Sequence, residues 1–257
     1  MHEERFTGRV KEYAQYRARY PEALLTWIEG QCGLNTEWSI ADVGAGTGML
    51  TEMFLASGYR VVAIEPNAEM RTACERMRAV YPLLQVMGGS AEATGLRSAR
   101  VEMVSVGRAL HWFDIPRAEL EFRRVLKPGG WIVVAASGRE RGGDTAQGRA
   151  FTELLSRYGV DAGHVESWNR RGELAATFLR QMSDGAEPAF AEFVTERRLS
   201  WEEFAGEVQS LSVAPLPGTE RYDGMQAALR RFFAEWSGEE GLRVPSVCTA
   251  GAAQVRG

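Results

Sequence analysis

The chain reads as an α/β protein: a doubly wound, mostly parallel sheet of seven strands, preceded by a helical lid and interrupted by a helical cap. Three observations predict it. Short, nearly unbroken apolar runs alternate with helix-patterned stretches through the first half, as strands buried on both faces do. The first run, Ile40-Ala41-Asp42-Val43, ends in the turn Gly44-Ala45-Gly46-Thr47-Gly48. The second, Val61-Val62-Ala63-Ile64, ends in Glu65, twenty-one positions after Gly44.

The elements follow in order. Residues 6–20 place Tyr13, Tyr16, Arg17 and Tyr20 at helical spacing. Pro21 suits the first turn of a second helix, with Leu24, Leu25 and Ile28 on its buried face and Gly30 and Gly33 stopping it. The sheet starts at Ser39. After the second strand, Asn67 can cap a helix that carries Met70, Ala73, Cys74 and Met77 on one face. Further strands fit 84–87, 101–107 and 131–136. Residues 138–148, rich in glycine and charge, read as a loop, and 151–181 as helices inserted over the sheet edge. Residues 190–199 alternate as a strand, 201–209 and 221–237 are helical around the turn Pro215-Leu216-Pro217-Gly218, and 248–255 supply a last strand. The expected organisation is one domain over 1–257: lid helices 1–38, cofactor-binding core 39–137, cap insertion 138–186, and sheet completion 187–257.

The glycine turn carries chemistry. Glycines let the backbone bend tightly and let a ligand lie against it with no Cβ between. The N–H groups that open the following helix then face that ligand. An acidic residue at the offset of Glu65 is placed to accept both hydroxyls of a ribose, so the two strand ends together point to a nucleoside-containing cofactor. Dinucleotide sites use Gly-x-Gly-x-x-Gly; here the third glycine comes one residue early, at Gly48, with Met49 behind it. That spacing disfavours a nicotinamide-dependent oxidoreductase, which stays as an alternative.

This compact loop, with Asp42 before it, resembles the first motif of class I S-adenosylmethionine (SAM)-dependent methyltransferases. Val61-Val62-Ala63-Ile64-Glu65-Pro66-Asn67-Ala68-Glu69-Met70 resembles their second motif, and Leu126-Lys127-Pro128-Gly129-Gly130-Trp131 their turn before the fifth strand. Gly89-Ser90-Ala91-Glu92 is similar to their adenine-edge loop, with Ser90 where many relatives carry Asp. Tyr13-Ala14-Gln15-Tyr16-Arg17-Ala18-Arg19-Tyr20-Pro21, Ala109-Leu110-His111-Trp112-Phe113-Asp114 and the segment 222–229 resemble small-molecule enzymes of the trans-aconitate methyltransferase-like group; Arg108 replaces a frequent Gln.

The resemblance implies a Rossmann-like fold, SAM as cofactor and S-adenosylhomocysteine as product. It assigns to the cofactor Asp42, Gly44, Gly46 and Gly48 at the loop, and Glu65 and Pro66 at the ribose. Met70, Ser90, Ala91 and Glu92 would surround the adenine, with Gly107 at the end of the fourth strand. Tyr16 and Arg17 would come from the lid, Arg17 pairing with the cofactor carboxylate. Tyr13, Trp112 and Phe113 would wall the substrate pocket, and His111 would act on or orient the acceptor. Plainer roles stand beside these: packing tyrosines, a solvated arginine, a hydrogen-bonded structural His111. His164 in the cap and the three cysteines read as structural.

Composition limits the partners. A chain of 257 residues, 45% hydrophobic, can bury one large core. A formal charge of −4 with no basic block argues against a life on phosphate backbones. No apolar run approaches the roughly 18 residues of a membrane span, and the N-terminus lacks the apolar stretch of a secretion signal. Cys32, Cys74 and Cys248 are scattered without Cys-x-x-Cys pairing, so neither a disulfide framework nor a metal site is expected, and a cytoplasmic setting is the default. The strand-four end Gly107-Arg108-Ala109-Leu110 lacks the Asn/Asp-Pro-Pro-aromatic run of base-amino methyltransferases. The expected acceptor is an O, N or C atom of a small molecule, with no nucleic acid or membrane partner and the oligomeric state open. A SAM-binding partner subunit without activity of its own is the other alternative.

Overall fold

A computed structural model describes residues 10–139, 145–160 and 171–255. Five parallel strands form one side of a single sheet: β1 (Ser39–Val43), β2 (Arg60–Ile64), β3 (Leu84–Met87), β4 (Val101–Gly107) and β5 (Leu126–Arg139). They lie in the order β3-β2-β1-β4-β5, so strand order reverses at β1 and leaves a crevice beyond the carboxyl ends of β1 and β4. Ligands of doubly wound sheets gather at such a crevice. β6 (Ala189–Leu199), the two-residue β7 (Ser237–Gly238) and β8 (Gly241–Gln254) complete the sheet. β8 runs antiparallel between β5 and β6, and β7 pairs with its start. Seven strands thus cross the sheet as the sequence predicts, and β7 is a short added arm.

Two strands begin earlier than expected. Leu126 pairs with Val101 and Trp131 with Met103, so residues 127–130 bulge outward within β5, with Gly129 at φ 75°. β8 starts at Gly241 because its first half pairs with the end of β6, Leu242 opposite Leu199.

Helices α1 (Val10–Tyr16), α2 (Glu22–Cys32), α3 (Met49–Ala56), α4 (Ala68–Glu75) and α5 (Ile115–Val125) occupy the first half. Alternation along the strands sorts the core. Ile40, Val61, Met103 and Val133 face α2, α3 and α4 on one side. Ala41, Val62, Val104 and Val134 face α5 on the other, around the fully buried Phe122. Phe122 meets Phe113 edge-on at 6.2 Å and Phe178 at 6.1 Å, and truncating such a side chain costs about 3–5 kcal/mol.

The segment expected as one cap, 138–186, divides instead. α6 (Ala146–Tyr158) starts inside the expected loop because the Thr145 hydroxyl accepts from the Gly148 amide and caps it. It joins α8 (Trp201–Gln209) and α9 (Glu220–Trp236) in a separate aromatic core, where Phe204 lies 6.1 Å from Phe151 and stacks on Phe232 at 5.6 Å. Between them, α7 (Arg171–Met182) lies on the sheet and buries Phe178, Leu179 and Met182. His164 and the rest of residues 161–170 lie outside the described residues, as do 140–144.

The N-terminal helix ends earlier than expected. α1 ends at Tyr16, a bend follows at Arg17, and residues 18–20 lead without regular structure into Pro21. Pro21 precedes α2 as its cap residue, and Gly33 at φ 68° closes that helix. Tyr16 points to the far half of the chain: its hydroxyl donates to Glu202 Oε1 at 2.8 Å. Its ring closes on Gly206, where a Cβ would come within 2.2 Å. Among the described residues no helix is long and apolar enough to cross a membrane.

Candidate functional site

Gly44, Gly46 and Gly48 all hold left-handed backbone, at φ 69°, 60° and 90°. Their duties differ. A Cβ on Gly44 would lie 2.6 Å from Ala109 Cβ, so the turn presses directly on the segment after β4. A Cβ on Gly48 would meet Met77 Cε at 2.5 Å; this glycine opens α3 and packs against the region of α4. A Cβ on Gly46 would meet nothing within 4 Å, and the open space belongs to a cavity of about 250 Å³.

Glu65 sits on the wall of that cavity. It is 7% exposed, and its two oxygens accept from the Gly46 and Asn67 amides at 2.8 Å each. Burial pushes its carboxyl above the usual range, an effect that the two amides oppose. Arg71 donates to the Glu65 and Pro66 carbonyls at 2.9 and 3.0 Å and fixes the end of β2. Asn67 accepts from the Met70 amide and starts α4, which turns the buried Met70 side chain into the same cavity.

Across from these stand Ser90, Ala91 and Glu92. Partial burial alone would raise the Glu92 carboxyl, but hydrogen bonds from the Ser90 hydroxyl and the Asp114 amide hold it below the usual range. Gly107 closes the end nearest β4, where a Cβ would lie 2.7 Å from the Tyr20 hydroxyl. Asp42 lies fully buried beneath the turn, accepting from Thr51 Oγ1 at 2.5 Å and Ser105 Oγ at 3.0 Å. Burial pushes its carboxyl up to about 6.

A second, larger cavity of about 930 Å³ opens behind the first. Arg108 and Ala109 line both. The larger one also carries Arg17, His111, Arg180 and Glu192, with Ala135 to Gly138 on one side and the β8 segment from Thr249 to Gly251 on another. His111 lies at 4.5 Å, tilted by 43°, against Trp112.

The expected site residues divide between the two cavities. Tyr13, Trp112 and Phe113 line the smaller cavity with Glu65, whereas Arg17 lines the larger. The short 3₁₀ turn at Leu110–Trp112 carries both His111, which lines the larger cavity, and Trp112, which lines the smaller. Arg17, one residue past the end of α1, lines the larger cavity while lying 5.3 Å from the centre of the Tyr13 ring. Tyr16 reaches Glu202 and lines neither cavity, and Gly48 serves packing. Sequence reasoning missed Arg108, Tyr20 and Arg71. The signal for Arg108 was present in its departure from the frequent Gln. The described residues hold no group of three or more His, Cys, Asp or Glu arranged for a metal ion.

Comparison with known proteins agrees with the geometry. Residues 41–134 match a family model described as a methyltransferase domain. An uncharacterized methyltransferase-like protein of Schizosaccharomyces pombe is 30% identical over 165 residues, 63% of this chain and 62% of the relative. An uncharacterized methyltransferase of Mycobacterium tuberculosis is 36% identical over 125 residues, 49% of each chain. The aligned part thus spans between about half and three fifths of the length of these curated relatives. Among solved structures, a candidate type II methyltransferase from Anaeromyxobacter dehalogenans superposes with a TM-score of 0.65 at 23% identity, covering 94% of this chain and 99% of the other. The chain has the Rossmann-like fold of the class I methyltransferases, with a methyltransferase-domain match over its core.

Proposed function

We propose that this protein transfers a methyl group from SAM to an O, N or C atom of a small molecule, releasing S-adenosylhomocysteine. The observation that carries the reading is Glu65. A carboxylate nearly sealed from solvent ends β2, is fastened through one lone pair per oxygen to backbone amides, and lines a cavity walled by a left-handed glycine turn. Each oxygen keeps capacity to accept once more, which suits the paired hydroxyls of a ribose. Two buried polar atoms without partners, Thr47 Oγ1 in the turn and Arg108 Nε at the cavity junction, fit a polar ligand there.

When bound, SAM supplies an electrophilic methyl group on a sulfonium. The chain's part is to hold two reactants in line, which can supply roughly 7–11 kcal/mol of a barrier, and to keep water out. Gly44, Gly46, Glu65, Pro66, Met70, Ser90, Ala91, Glu92 and Gly107 would hold the cofactor, with Asp42 bracing the turn from below. Tyr13, Trp112 and Phe113, which share their cavity, would cover it. The acceptor would enter the larger cavity, where His111 can take a proton from a hydroxyl or protonated amine and has none to take from a carboxylate. A two-cavity enclosure and a net charge of −4 favour a small molecule over a nucleic acid. Three free, buried cysteines suit a reducing, cytoplasmic setting.

Calorimetry tests the cofactor. SAM and S-adenosylhomocysteine should bind the wild-type protein, NAD should not, and Glu65→Ala should weaken binding by roughly 2–3 kcal/mol, the scale of hydrogen bonds to a charged group. Unchanged affinity in a folded variant removes Glu65 from the site. Label transfer from methyl-labelled SAM into a metabolite extract tests the reaction; SAM binding without any labelled product favours a partner subunit.

A further inference from the structure

The floor of the larger cavity is a strip of sheet with short side chains. Val134 of β5, Gly251 of β8 and Phe190 of β6 lie side by side on the face that α7 covers. The helix closes on that row: a Cβ on Gly251 would come within 2.4 Å of Leu179. The next row on the same face, two residues along each strand, is Ala136, Thr249 and Glu192. There the cover ends. Thr249 and Glu192 are exposed, and Val194, one row further, is 67% exposed. Thr249 belongs to β8, which has a neighbour on either side, so what is uncovered is the face of the sheet and not its edge.

Three properties of the strip define what can lie on it. The first is length. Gly107 lies opposite Ala135, so Arg108, which lines both cavities, stands at the head of the row through Ala136, Thr249 and Glu192. Three strand spacings of about 4.8 Å then put Glu192 roughly 14 Å from the junction. The second is smoothness: the middle of the strip offers Ala136, Gly138 and Val247, and α7 adds Ala175 and Ala176. The third is a polar far end. Glu192 is the single carboxylate among the described residues that line the cavity, and it makes no ion pair with any of them. Arg180, beside it, is turned to Glu187 at 3.8 Å and to the ring of Phe190, 6.0 Å from its centre.

A small polycarboxylic acid would fill a fraction of the 930 Å³ and leave the apolar floor wet. A flexible chain would give up much rotational freedom on a floor with few side chains to grip it, whereas a rigid ring system gives up little. Aromatic faces bury large area against such a surface, and Phe190 offers a ring at its margin. We propose that the acceptor is a flat aromatic molecule of two or three fused rings. Its reacting atom lies at the junction of the cavities, and a hydroxyl or amino group at its far end donates to Glu192 beside Thr249. This deepens the SAM reading above and rests on it for the position of the reacting end.

Two naphthalenes test it. 6-Amino-2-naphthol carries a polar group at each end of its fused rings, and 2-naphthol lacks the far one. Titrated by fluorescence into the wild-type protein saturated with S-adenosylhomocysteine, the first should bind at least about tenfold more tightly, the scale of one hydrogen bond to a charged group. Glu192→Ala, at an exposed position, should bring the two within about threefold. Ala136→Leu, which raises a side chain from the floor, should weaken both by at least about tenfold and leave S-adenosylhomocysteine bound as in wild type. Should Ala136→Leu not fold, Thr249→Arg, at an exposed position of the same row, lays a long side chain toward Glu192 and carries that arm. The proposal is overturned if neither naphthalene binds, if the two bind wild type alike, if Glu192→Ala leaves their ratio unchanged, if the folded floor variant leaves both in place, or if citrate displaces them. Each titration is also run without nucleoside. A wild type that takes the naphthalenes but no S-adenosylhomocysteine defeats the SAM reading and keeps the aromatic site; one that takes S-adenosylhomocysteine but no naphthalene defeats this proposal alone.

Discussion

The two cavities share a wall and differ in almost everything else. The smaller is acidic and closely fastened: Glu65 is tied by two backbone amides, and Glu92 by a hydroxyl and an amide. The larger is more than three times the volume and carries Arg17, Arg108, His111 and Arg180 against a single carboxylate, Glu192. The lesson is one of origin. The acidic side is made by strand ends and the tight turns that follow them, where backbone geometry dictates residue type. The cationic side is assembled from an extended N-terminal segment, one irregular turn, a sheet-covering helix and two antiparallel strands, where geometry dictates little.

Four experiments would break or sharpen that contrast. The largest effect is expected at His111. His111→Ala should leave SAM affinity nearly intact and lower the single-turnover rate by about 10²–10⁴-fold for a hydroxyl or protonated-nitrogen acceptor, and by less for a carboxylate. A fully active variant would strip the larger cavity of its proposed chemistry.

Gly46→Val comes next. It places a branched side chain in the open space of the smaller cavity and strains backbone at φ 60°. SAM binding should fall at least 100-fold in calorimetry, whereas Gly138→Val, on the rim of the larger cavity, should leave it within about threefold, corresponding to less than ~1 kcal/mol. Equal losses would mean that the two cavities are one site.

Asp42 offers a pH test. Its carboxyl is raised from 3.8 to about 6 by burial, so the fold favours the neutral form. The stability this gives is full below pH 4 and is lost as pH rises through about 6. Asp42→Asn keeps the shape, and the Thr51 and Ser105 hydroxyls can rotate to serve an amide. Urea melts should show the variant more stable than wild type by about 1–3 kcal/mol at pH 7–8, with the gain gone near pH 4. A variant less stable at every pH would show that the two hydroxyls stabilise the charge.

The smallest effect concerns α1. Hydrogen exchange over residues 10–16 should slow when S-adenosylhomocysteine binds, since Tyr13 covers the smaller cavity. Tyr16→Phe, which loses a bond to Glu202, should speed that exchange in the free protein by less than about tenfold. Identical exchange with and without ligand would make α1 ordinary packing.

Legibility followed the same divide. The parallel strands, the cap at Asn67, the glycine turn and Glu65 could be read because each depends on neighbours within a few positions. Of the last two strands, β6 could be read from the alternation of residues 190–199, whereas its pairing with β8 could not. The C-terminal end of α1 and the start of α6 were misplaced, the second for the capping hydroxyl of Thr145 in a glycine-rich stretch. That Arg17 lines the larger cavity while Trp112 and Phe113 line the smaller depends on the end of α1 and the 3₁₀ turn at Leu110–Trp112, neither of which the sequence pattern marks. Arg108 is bound to Ala18, Ser137 and Met49, positions 90, 29 and 59 residues away, and no local pattern announces such a convergence.

The seat of Tyr16 has a consequence for the making of the protein. Glu202 lies 186 residues further along the chain, and at about 5–20 residues per second a ribosome needs roughly 10–40 s to deliver it after Tyr16 has emerged. The nascent chain therefore finishes β1 to β4, and with them the glycine turn and Glu65, well before α8 exists for α1 to rest on. The contact between α1 and α8 is therefore among the later ones to form during synthesis.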